Sequence, residues 1–330
     1  MKNNRHKKVL ITGAGGFLGH HLANTLAGEG VEVTGLLLPN EDDTKLKKGI
    51  TVIRGDLTQP QSFQNSIRDF DRIYHLAAVL AADEPDVFSR VNVDGTIHLI
   101  EACKKNNVQL KRFLFVSSIS AMGPTGKNQS DENTPCSPIN DYGKSKVRAE
   151  RYIQSTDNPY PWTIVRPVET YGPGRFDSFY QICKAAKMGF QLHLGSGEVT
   201  LGYVDDIVGG IIQAGESPVT EGKIYLLGES RTYTLEEVTH FFSQAVRKRT
   251  VSIHLPYAFL YLVAFVIEGI SRILRSRPAL TRWHLKSYLK ACYWKFDTKK
   301  AREDFGFCPD VDLDQGAKRT VEWYRKEGYL

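Results

Sequence analysis

Cysteine is scarce in this sequence, and the few cysteines are scattered. They are Cys103, Cys136, Cys183, Cys292 and Cys308. No two of them stand at a CxxC spacing or beside histidines in a ligand pattern, so neither a zinc site nor a disulfide framework is indicated. We therefore expect no bound metal. Free thiols are typical of a reducing compartment, which predicts a cytoplasmic protein.

Long apolar runs are also missing. The segment 257–267 has 11 consecutive apolar residues, whereas a bilayer span needs about 20. This length predicts a buried helix and no transmembrane span. The alternative is a peripheral membrane contact, with the apolar face in the bilayer and Arg272, Arg275 and Arg277 at the headgroups. The basic start of the chain is followed by a glycine-broken run too short for a signal peptide, so secretion is not expected.

A dominant charge of one sign is absent as well. The chain has 43 basic and 37 acidic residues, for a net charge of +6, and the two signs are mixed. A nucleic-acid-binding protein more often shows a basic stripe with interleaved aromatic residues. We therefore predict no nucleic-acid partner and a small-molecule ligand instead.

What the sequence does contain is an alternation of short apolar runs with helix-length segments. The predicted strands are 8–12, 31–38, 51–54, 72–76, 112–117 and 162–166, and the predicted helices are 17–27, 61–67, 87–106 and 142–154. The runs are rich in Val, Ile and Leu without strict alternation, as in sheets covered by helices on both faces. Repeated βα units predict an α/β fold with a doubly wound parallel Rossmann sheet.

The pattern changes near residue 170. We expect a nucleotide-binding domain over 1–170, with return passes to its sheet at about 203–230, namely a helix over 204–214 and a strand over 223–227. The remaining segments, 171–202 and 231–330, are expected to form a smaller substrate lobe, helix-rich from about residue 252.

The clearest local motif is a glycine-rich turn. Gly13, Gly16 and Gly19 directly follow the first predicted strand and open the first predicted helix. They allow a tight turn, a close approach of the backbone to a pyrophosphate, and close packing of helix on sheet. The helix N-terminus then offers free N–H groups to phosphates. This context predicts a dinucleotide cofactor.

Three later positions bear on that cofactor. The second strand ends without an acid or an arginine, so the sequence leaves NAD and NADP open and slightly favours NAD. Asp56 follows the third strand, where its carboxylate suits an adenine contact, and a turn or cap role is the equal alternative. The small residues Ala77 and Ala78 end the fourth strand and leave room for a cofactor across the strand ends.

A tyrosine and a lysine stand four residues apart at the start of a predicted helix. Tyr142 and Lys146 share one helix face at this spacing. Hydride transfer at an alcohol carbon requires proton transfer at its oxygen, and a tyrosine of ordinary pKa about 10 needs that pKa lowered toward neutrality. A neighbouring ammonium favours the phenolate. The pair therefore predicts a proton-transfer site, although such a pair also occurs by chance on exposed helices.

Two further polar residues are candidates for the same site. Ser118, next to Ser117 at the end of the fifth strand, is placed to hydrogen-bond a reacting oxygen; we favour it over its neighbour. Asn92 lies inside a predicted helix, where asparagine is unfavourable because its side chain competes for backbone hydrogen bonds. It either supports the hydrogen bonds of the site or is an exposed residue.

Together these motifs resemble a known superfamily. They are Gly13-x-x-Gly16-x-x-Gly19, Asp56-Leu57, His75-Leu76-Ala77-Ala78, Asn92-Val93-Asp94-Gly95-Thr96, Ser117-Ser118, Tyr142-x-x-x-Lys146, Arg166-Pro167, Tyr171-Gly172-Pro173-Gly174 and Val204-Asp205-Asp206. The set is similar to the extended short-chain dehydrogenase/reductases, the NAD-dependent epimerase/dehydratase group, over about the first 215 residues.

The resemblance implies roles for individual residues. It implies a catalytic triad of Ser118, Tyr142 and Lys146. It also implies a homodimer, and cofactor contacts from Gly13, Gly16, Phe17, Leu18, Gly19, Asp56, Leu57, Ala77, Lys146 and Pro167.

Departures from the family pattern bear on the substrate. The stretch before Val204 lacks the arginine with which nucleotide-sugar members hold a diphosphate, and Glu169 replaces a small or amide residue. The C-terminal half resembles the 3β-hydroxysteroid dehydrogenase-like branch, which implies a steroid-like, terpenoid or other apolar alcohol or ketone. The alternatives are a nucleotide-sugar 4-epimerase or dehydratase with tightly bound NAD, and a non-catalytic cofactor-binding protein.

Overall fold

The computed structural model describes residues 7–106, 108–193, 197–254, 257–273 and 292–330. Within these ranges the chain builds a parallel sheet of seven strands in the spatial order β10-β6-β5-β4-β1-β2-β3. These strands are β1 (Lys8–Thr12), β2 (Glu32–Leu37), β3 (Thr51–Arg54), β4 (Arg72–His75), β5 (Arg112–Val116), β6 (Trp162–Pro167) and β10 (Lys223–Leu227). The predicted α/β fold and all seven predicted strands are therefore confirmed.

The strand order reverses beside β1. The chain runs outward from β1 to β2 and β3, and then crosses back to place β4 on the other side of β1. In open parallel sheets such a reversal leaves a crevice at the carboxyl ends of the central strands, and ligands bind there. The glycine turn follows β1 at this edge, and Ala77 follows β4.

The α-helices of the described residues are α1 (Phe17–Gly28), α2 (Pro85–Phe88), α3 (Gly95–Lys105), α4 (Asp141–Gln154), α5 (Ser178–Lys187), α6 (Val204–Glu216), α7 (Leu235–Ala245), α8 (Tyr257–Ile273), α9 (Lys299–Phe305) and α10 (Leu313–Lys326). Of these, α1 and α6 cover one face of the sheet, and α3 and α4 cover the other. Successive residues of one strand point to opposite faces. Accordingly Val9 and Ile11 pack in the core with α1 and α6, whereas Leu10 packs in the core with α3 and α4.

The predicted helices have mixed outcomes. The helix predicted over 61–67 is wrong, because that stretch forms two short 3₁₀ turns, Pro60–Ser62 and Gln64–Ser66. The helix predicted over 87–106 is present but interrupted: a π-helical segment, Ser89–Asp94, separates α2 from α3. The return helix reaches Glu216 rather than Ala214.

Beyond the main sheet, the second half builds two small sheets that the sequence did not predict. The strand β9 (Gly197–Tyr203) pairs with three short strands, β7 (Glu169–Tyr171), β11 (Thr232–Thr234) and β13 (Cys292–Trp294). The strands β8 (Phe190–His193) and β12 (Val251–His254) form a separate pair. Part of the helix-rich region expected after residue 252 lies outside the described residues, and the domain division at residue 170 stays a prediction.

Candidate active site

The glycine turn has the shape that a dinucleotide requires. Gly13 has a φ of +69°, and its N–H donates to the Leu36 carbonyl at the end of β2. A Cβ atom at this position would lie 2.8 Å from the Ala77 backbone, so only glycine fits. Gly16 is the N-cap of α1 and has no side chain to cap it. The free N–H groups of this helix end are therefore directed to the crevice.

Glu41, which the sequence argument overlooked, supplies the acid missing from the end of β2. Its Oε2 accepts from the Leu38 N–H at 3.0 Å, and its carboxylate lies against Gly15 of the glycine turn. A carboxylate there is placed to accept from the hydroxyls of an adenosine ribose, and it would repel a 2′-phosphate. The chain bends back after Pro39, so the acid lies four residues beyond the strand end. The neighbouring Asp42 binds Thr44 instead.

The other predicted cofactor residues line the same crevice. Asp56 is committed to a turn, because its Oδ1 accepts from both the N–H and the hydroxyl of Thr58 at 2.8 Å. One oxygen of the carboxylate therefore has the turn role that we held as the alternative. Because the residue also lines the cavity, the adenine contact stays a prediction. Further members of the lining are Phe17, Leu18, Leu57, Ala77 and Pro167.

A buried relay of hydrogen bonds supports the ends of β1 and β4. The His75 ring bonds the Thr12 hydroxyl at 2.6 Å through Nδ1 and the Thr96 hydroxyl at 2.8 Å through Nε2. Because Thr96 donates to the Asn92 carbonyl, it must accept from Nε2–H, and Nδ1 accepts from Thr12. Burial first, and then the charge of Lys146, lowers the pKa of His75 to about 3. The neutral tautomer is thus fixed, and this histidine is a structural element.

Tyr142 and Lys146 lie on the cavity side of α4, as predicted. The Lys146 Nζ is 5.9 Å from the centre of the Tyr142 ring, and both residues line the cavity. Lys146 is buried and donates to the Val116 carbonyl at 2.9 Å. Burial lowers the pKa of Lys146 to about 7, against the opposing effect of the Glu150 carboxylate. At neutral pH Lys146 is therefore divided between its ammonium and amine forms, and its ammonium form favours the phenolate of the neighbouring Tyr142.

The two serines after β5 have different surroundings. Ser118 accepts from the Ser120 N–H at 3.1 Å and caps a 3₁₀ turn, Ile119–Ala121, at the cavity. Ser117 is buried, and its hydroxyl donates to Glu150 at 2.5 Å. The preference for Ser118 as the reactive-site hydroxyl therefore has a structural reason, since its neighbour is committed to a buried carboxylate.

Glu150 also forms a buried ion pair with Arg166, which the sequence analysis did not predict. The guanidinium donates to the carboxylate through Nε at 2.9 Å and through a terminal nitrogen at 2.6 Å. Both side chains are almost completely excluded from solvent. The pair joins α4 to β6, and because Glu150 is one turn after Lys146, it holds that part of the helix against the sheet.

Asn92 lies in the π-helical segment and is buried, so the alternative of an exposed asparagine is wrong. Its amide accepts from the Val79 N–H at 2.8 Å and donates to the Val79 carbonyl at 3.1 Å. It also donates to the Ser145 hydroxyl at 2.9 Å. Ser145 is next to Lys146, so Asn92 ties the loop after β4 to the helix that carries the catalytic candidates. π-helical turns are frequent at functional sites.

A charged cluster lies beside the glycine turn, in the same crevice. The Arg175 guanidinium contacts Asp177, lies 3.1 Å from the Glu169 carboxylate and stacks over the Phe17 ring. All four residues line the cavity. Glu169, the acid that departs from the family pattern, is thus paired with a cation that stacks on the residue after Gly16.

One continuous cavity joins these parts. It has a volume of about 2290 Å³ and runs from the glycine turn past Tyr142 to residues of α7 and α8. Ordinary ligand pockets enclose about 300–1,000 Å³, so this cavity has room for a dinucleotide and a second ligand. A glycine turn at the switch point of a parallel sheet, with a tyrosine and a lysine facing the same crevice, defines a Rossmann-fold enzyme of the short-chain dehydrogenase/reductase type.

Comparison with known proteins identifies the family within that type. The model of the NAD dependent epimerase/dehydratase family matches residues 9–228, and the chain belongs to this family. The predictions of an enzyme and of NAD as its cofactor are thereby confirmed. A curated relative, N-acetyl-alpha-D-glucosaminyl-diphospho-ditrans,octacis-undecaprenol 4-epimerase of Escherichia coli O157:H7, is 28% identical over 96% of this chain and 94% of its own length. Sterol-4-alpha-carboxylate 3-dehydrogenase ERG26 of Saccharomyces cerevisiae is 24% identical over 96% of this chain and 97% of its own.

Solved structures agree with the fold. UDP-glucose 4-epimerase of Thermotoga maritima with UDP-glucose superposes with a TM-score of 0.79 at 22% identity, covering 97% of this chain and 99% of the other. UDP-glucose 4-epimerase of Thermus thermophilus in complex with NAD gives a TM-score of 0.77 at 22% identity, covering 98% and 100%. At this identity the likeness concerns the fold alone.

Proposed function

We propose that this protein catalyses NAD-dependent hydride transfer at a secondary alcohol or ketone, with Ser118, Tyr142 and Lys146 as its catalytic residues. The observation that carries the proposal is the approach of the Lys146 ammonium to the Tyr142 ring, 5.9 Å from its centre, in a cavity that also contains the glycine turn. The glycine turn, the Tyr142 phenol and the Lys146 side chain thus line the same cavity.

The residues present fit the cofactor. Gly13 and Gly16 leave the backbone open to a pyrophosphate, and Glu41 suits the ribose of NAD. Phe17, Leu18, Asp56, Leu57, Ala77, Lys146 and Pro167 are proposed as further contacts. When bound, NAD exchanges a hydride with the substrate's carbinol carbon.

The protein's own groups move the proton. Tyr142 takes the hydroxyl proton when the alcohol is oxidised and returns it when the ketone is reduced. Lys146 stabilises the phenolate by its charge, and Ser118 holds the reacting oxygen by a hydrogen bond.

We infer an apolar substrate, steroid-like or otherwise hydrophobic. The names of several relatives denote substrates with a large apolar part, such as a sterol, an undecaprenol and the 2-alkyl-3-oxoalkanoate of a Shewanella oneidensis reductase. In this chain the stretch before Val204 has no arginine for a diphosphate, which disfavours a nucleotide sugar.

A 4-epimerase or dehydratase is the second candidate, favoured by the epimerase names among the relatives and solved structures. Such an enzyme returns the hydride to its own intermediate. Purified protein would then retain NAD and show no net cofactor turnover, whereas a dehydrogenase consumes added NAD or NADH with an alcohol or a ketone.

The test of the catalytic assignment is Tyr142→Phe, with Tyr152→Phe as the matched control. Tyr152 is on the same helix, and its hydroxyl bonds Glu101 rather than facing the cavity. Loss of a positioned acid or base costs about 10²–10⁴ in rate, so we expect a loss of at least about 100-fold in kcat for Tyr142→Phe only. Unchanged turnover in this variant would refute the catalytic role of Tyr142, and a wild-type protein that binds NAD without any turnover would favour a non-catalytic cofactor-binding protein.

Location, assembly and domain division belong to the same proposal. The cysteines that the structure describes with their side chains, Cys103, Cys136, Cys183 and Cys308, are free, which supports a cytoplasmic protein.

Hydrogen bonds join α4 to the helix before it. Tyr152 of α4 donates to Glu101 of α3, and Arg148 of α4 donates to Ser89 of the π-helical segment. These paired helices would form half of a four-helix dimer interface, which light scattering tests directly. We keep 1–170 as the nucleotide domain, and 171–202 with 231–330 as the substrate lobe.

A further inference from the structure

The two faces of helix α8 have different surroundings. Ala264, Glu268 and Ser271, spaced four and three residues apart, share one face. Ala264 and Ser271 are buried, and Glu268 and Ser271 line the catalytic cavity. This face is the part of the helix turned to the protein, and it reaches the substrate end of the cavity.

The other face is apolar and exposed. Leu262, Phe265, Val266 and Ile270 follow the spacing of one helix face and are each 49–58% exposed. In a surface helix of a globular protein the apolar stripe faces the core and the polar face meets water. Here the arrangement is reversed. Four large apolar side chains in one contiguous stripe mark a binding surface rather than scattered exposed residues.

The charge of the neighbouring sequence shows which partner suits this stripe. The sequence 271–290 begins in the last turn of α8. It holds six of the 43 basic residues and none of the 37 acidic ones. Those six are Arg272, Arg275, Arg277, Arg282, Lys286 and Lys290. The rest of the chain is therefore neutral overall, and the whole positive excess directly follows the apolar helix. An apolar face with adjoining basic residues is the composition of an interfacial membrane helix.

We propose that the exposed face of α8 docks on an anionic phospholipid bilayer, with the helix lying in the plane of the interface. No helix among the described residues is long and apolar enough to cross a membrane. The contact that we propose is with one leaflet. Leu262, Phe265, Val266 and Ile270 enter the headgroup boundary, and the positive charge of the adjoining sequence favours an anionic surface over a neutral one.

Docking gives the site a route for its substrate. Because the opposite face of α8 lines the cavity, the docked protein holds the substrate end of the cleft at the bilayer surface. An amphiphile could then present its hydroxyl or keto group to Tyr142 while its apolar part stays in lipid. This consequence rests on the proposed function, whereas the docking itself does not.

The experiment is sedimentation of the full chain with large unilamellar vesicles. One set contains phosphatidylglycerol and phosphatidylethanolamine, and the other phosphatidylcholine alone. We expect the wild-type protein to pellet with the anionic set and much less with the neutral set. Val266→Glu puts a charge into the apolar stripe and should lower the partition coefficient about tenfold or more. Val219→Glu, the same change at a residue 46% exposed and distant in sequence, should bind as wild type.

Three results would overturn the docking. The first is wild-type protein that stays in the supernatant with both vesicle sets, and the second is a Val266→Glu variant that binds like Val219→Glu. The third is a dimer in vesicle-free buffer that Val266→Glu dissociates, which would make a second copy the occupant of the stripe. Tyr142→Phe separates this proposal from the catalytic one: it should abolish turnover and leave vesicle binding intact.

Discussion

Replacing Glu150 by glutamine isolates the contribution of the buried ion pair between α4 and β6. The substitution keeps the shape of the side chain and removes its charge. Arg166 would then stay buried without a counterion, and its terminal nitrogen Nη1 already has no hydrogen-bond partner. Ser117, which donates to the carboxylate at 2.5 Å, would meet a neutral amide instead.

The expected cost follows from the burial of the pair. Both side chains are 3–4% exposed, so water cannot replace the lost carboxylate. Removing one partner of such a pair typically costs 3–5 kcal/mol, and we expect Glu150→Gln to lose about 4 kcal/mol of unfolding free energy. The exposed pair Glu101–Lys104 is the matched control, because an ion pair in water contributes about 0.2–1 kcal/mol.

Urea unfolding measures both variants. The midpoint of Glu150→Gln should fall with little change in the denaturant slope, and that of Glu101→Gln should stay close to the wild-type value. A double variant with leucine at 150 and 166 should regain much of the loss, since apolar replacement removes both buried charges. The reasoning is refuted if Glu150→Gln and Glu101→Gln unfold at the same urea concentration.

Two other predictions concern the cofactor turn and the lysine. Gly13→Ala and Gly30→Ala place a side chain at similar positive φ values, +69° and +79°, but only the side chain at position 13 would have neighbours within 4 Å. Calorimetry should therefore show at least about tenfold weaker NAD binding for Gly13→Ala alone. Equal NAD binding by the two variants would contradict the assigned phosphate site. The pKa of Lys146 is lowered to about 7, so between pH 7 and 10 this lysine carries a proton in the unfolded chain but not in the folded chain, and its contribution to stability rises with pH in this window. Urea unfolding of NAD-free wild type and Lys146→Met should reveal this slope as a difference between them, and parallel curves would exclude it.

Local patterns predicted the parts of the site that local geometry controls. The glycine turn needs only a strand, three glycines and a helix start, and the Tyr142–Lys146 pair needs only one helical turn. Glu41 was missed because the loop after β2 brings it back to Gly15. The Glu150–Arg166 pair joins residues from a helix and a later strand, and no spacing rule connects them. The strands paired with β9 are three residues long, too short for a periodic signal.

The π-helical segment determines how the chain between Pro85 and Lys105 tolerates changes of length. Its wider turn holds one residue more than an α-helical turn would. Loss of one residue there should convert it to an α-helical turn and keep Thr96 beside His75 and Leu99 in the core. Loss of one residue within α3, in contrast, would rotate the part of the helix that follows by about 100° relative to the part before it. Substitution of the exposed Arg90 should leave this packing unchanged. The segment is therefore the place where this stretch can lose one residue and keep the phasing of the two halves of one helix.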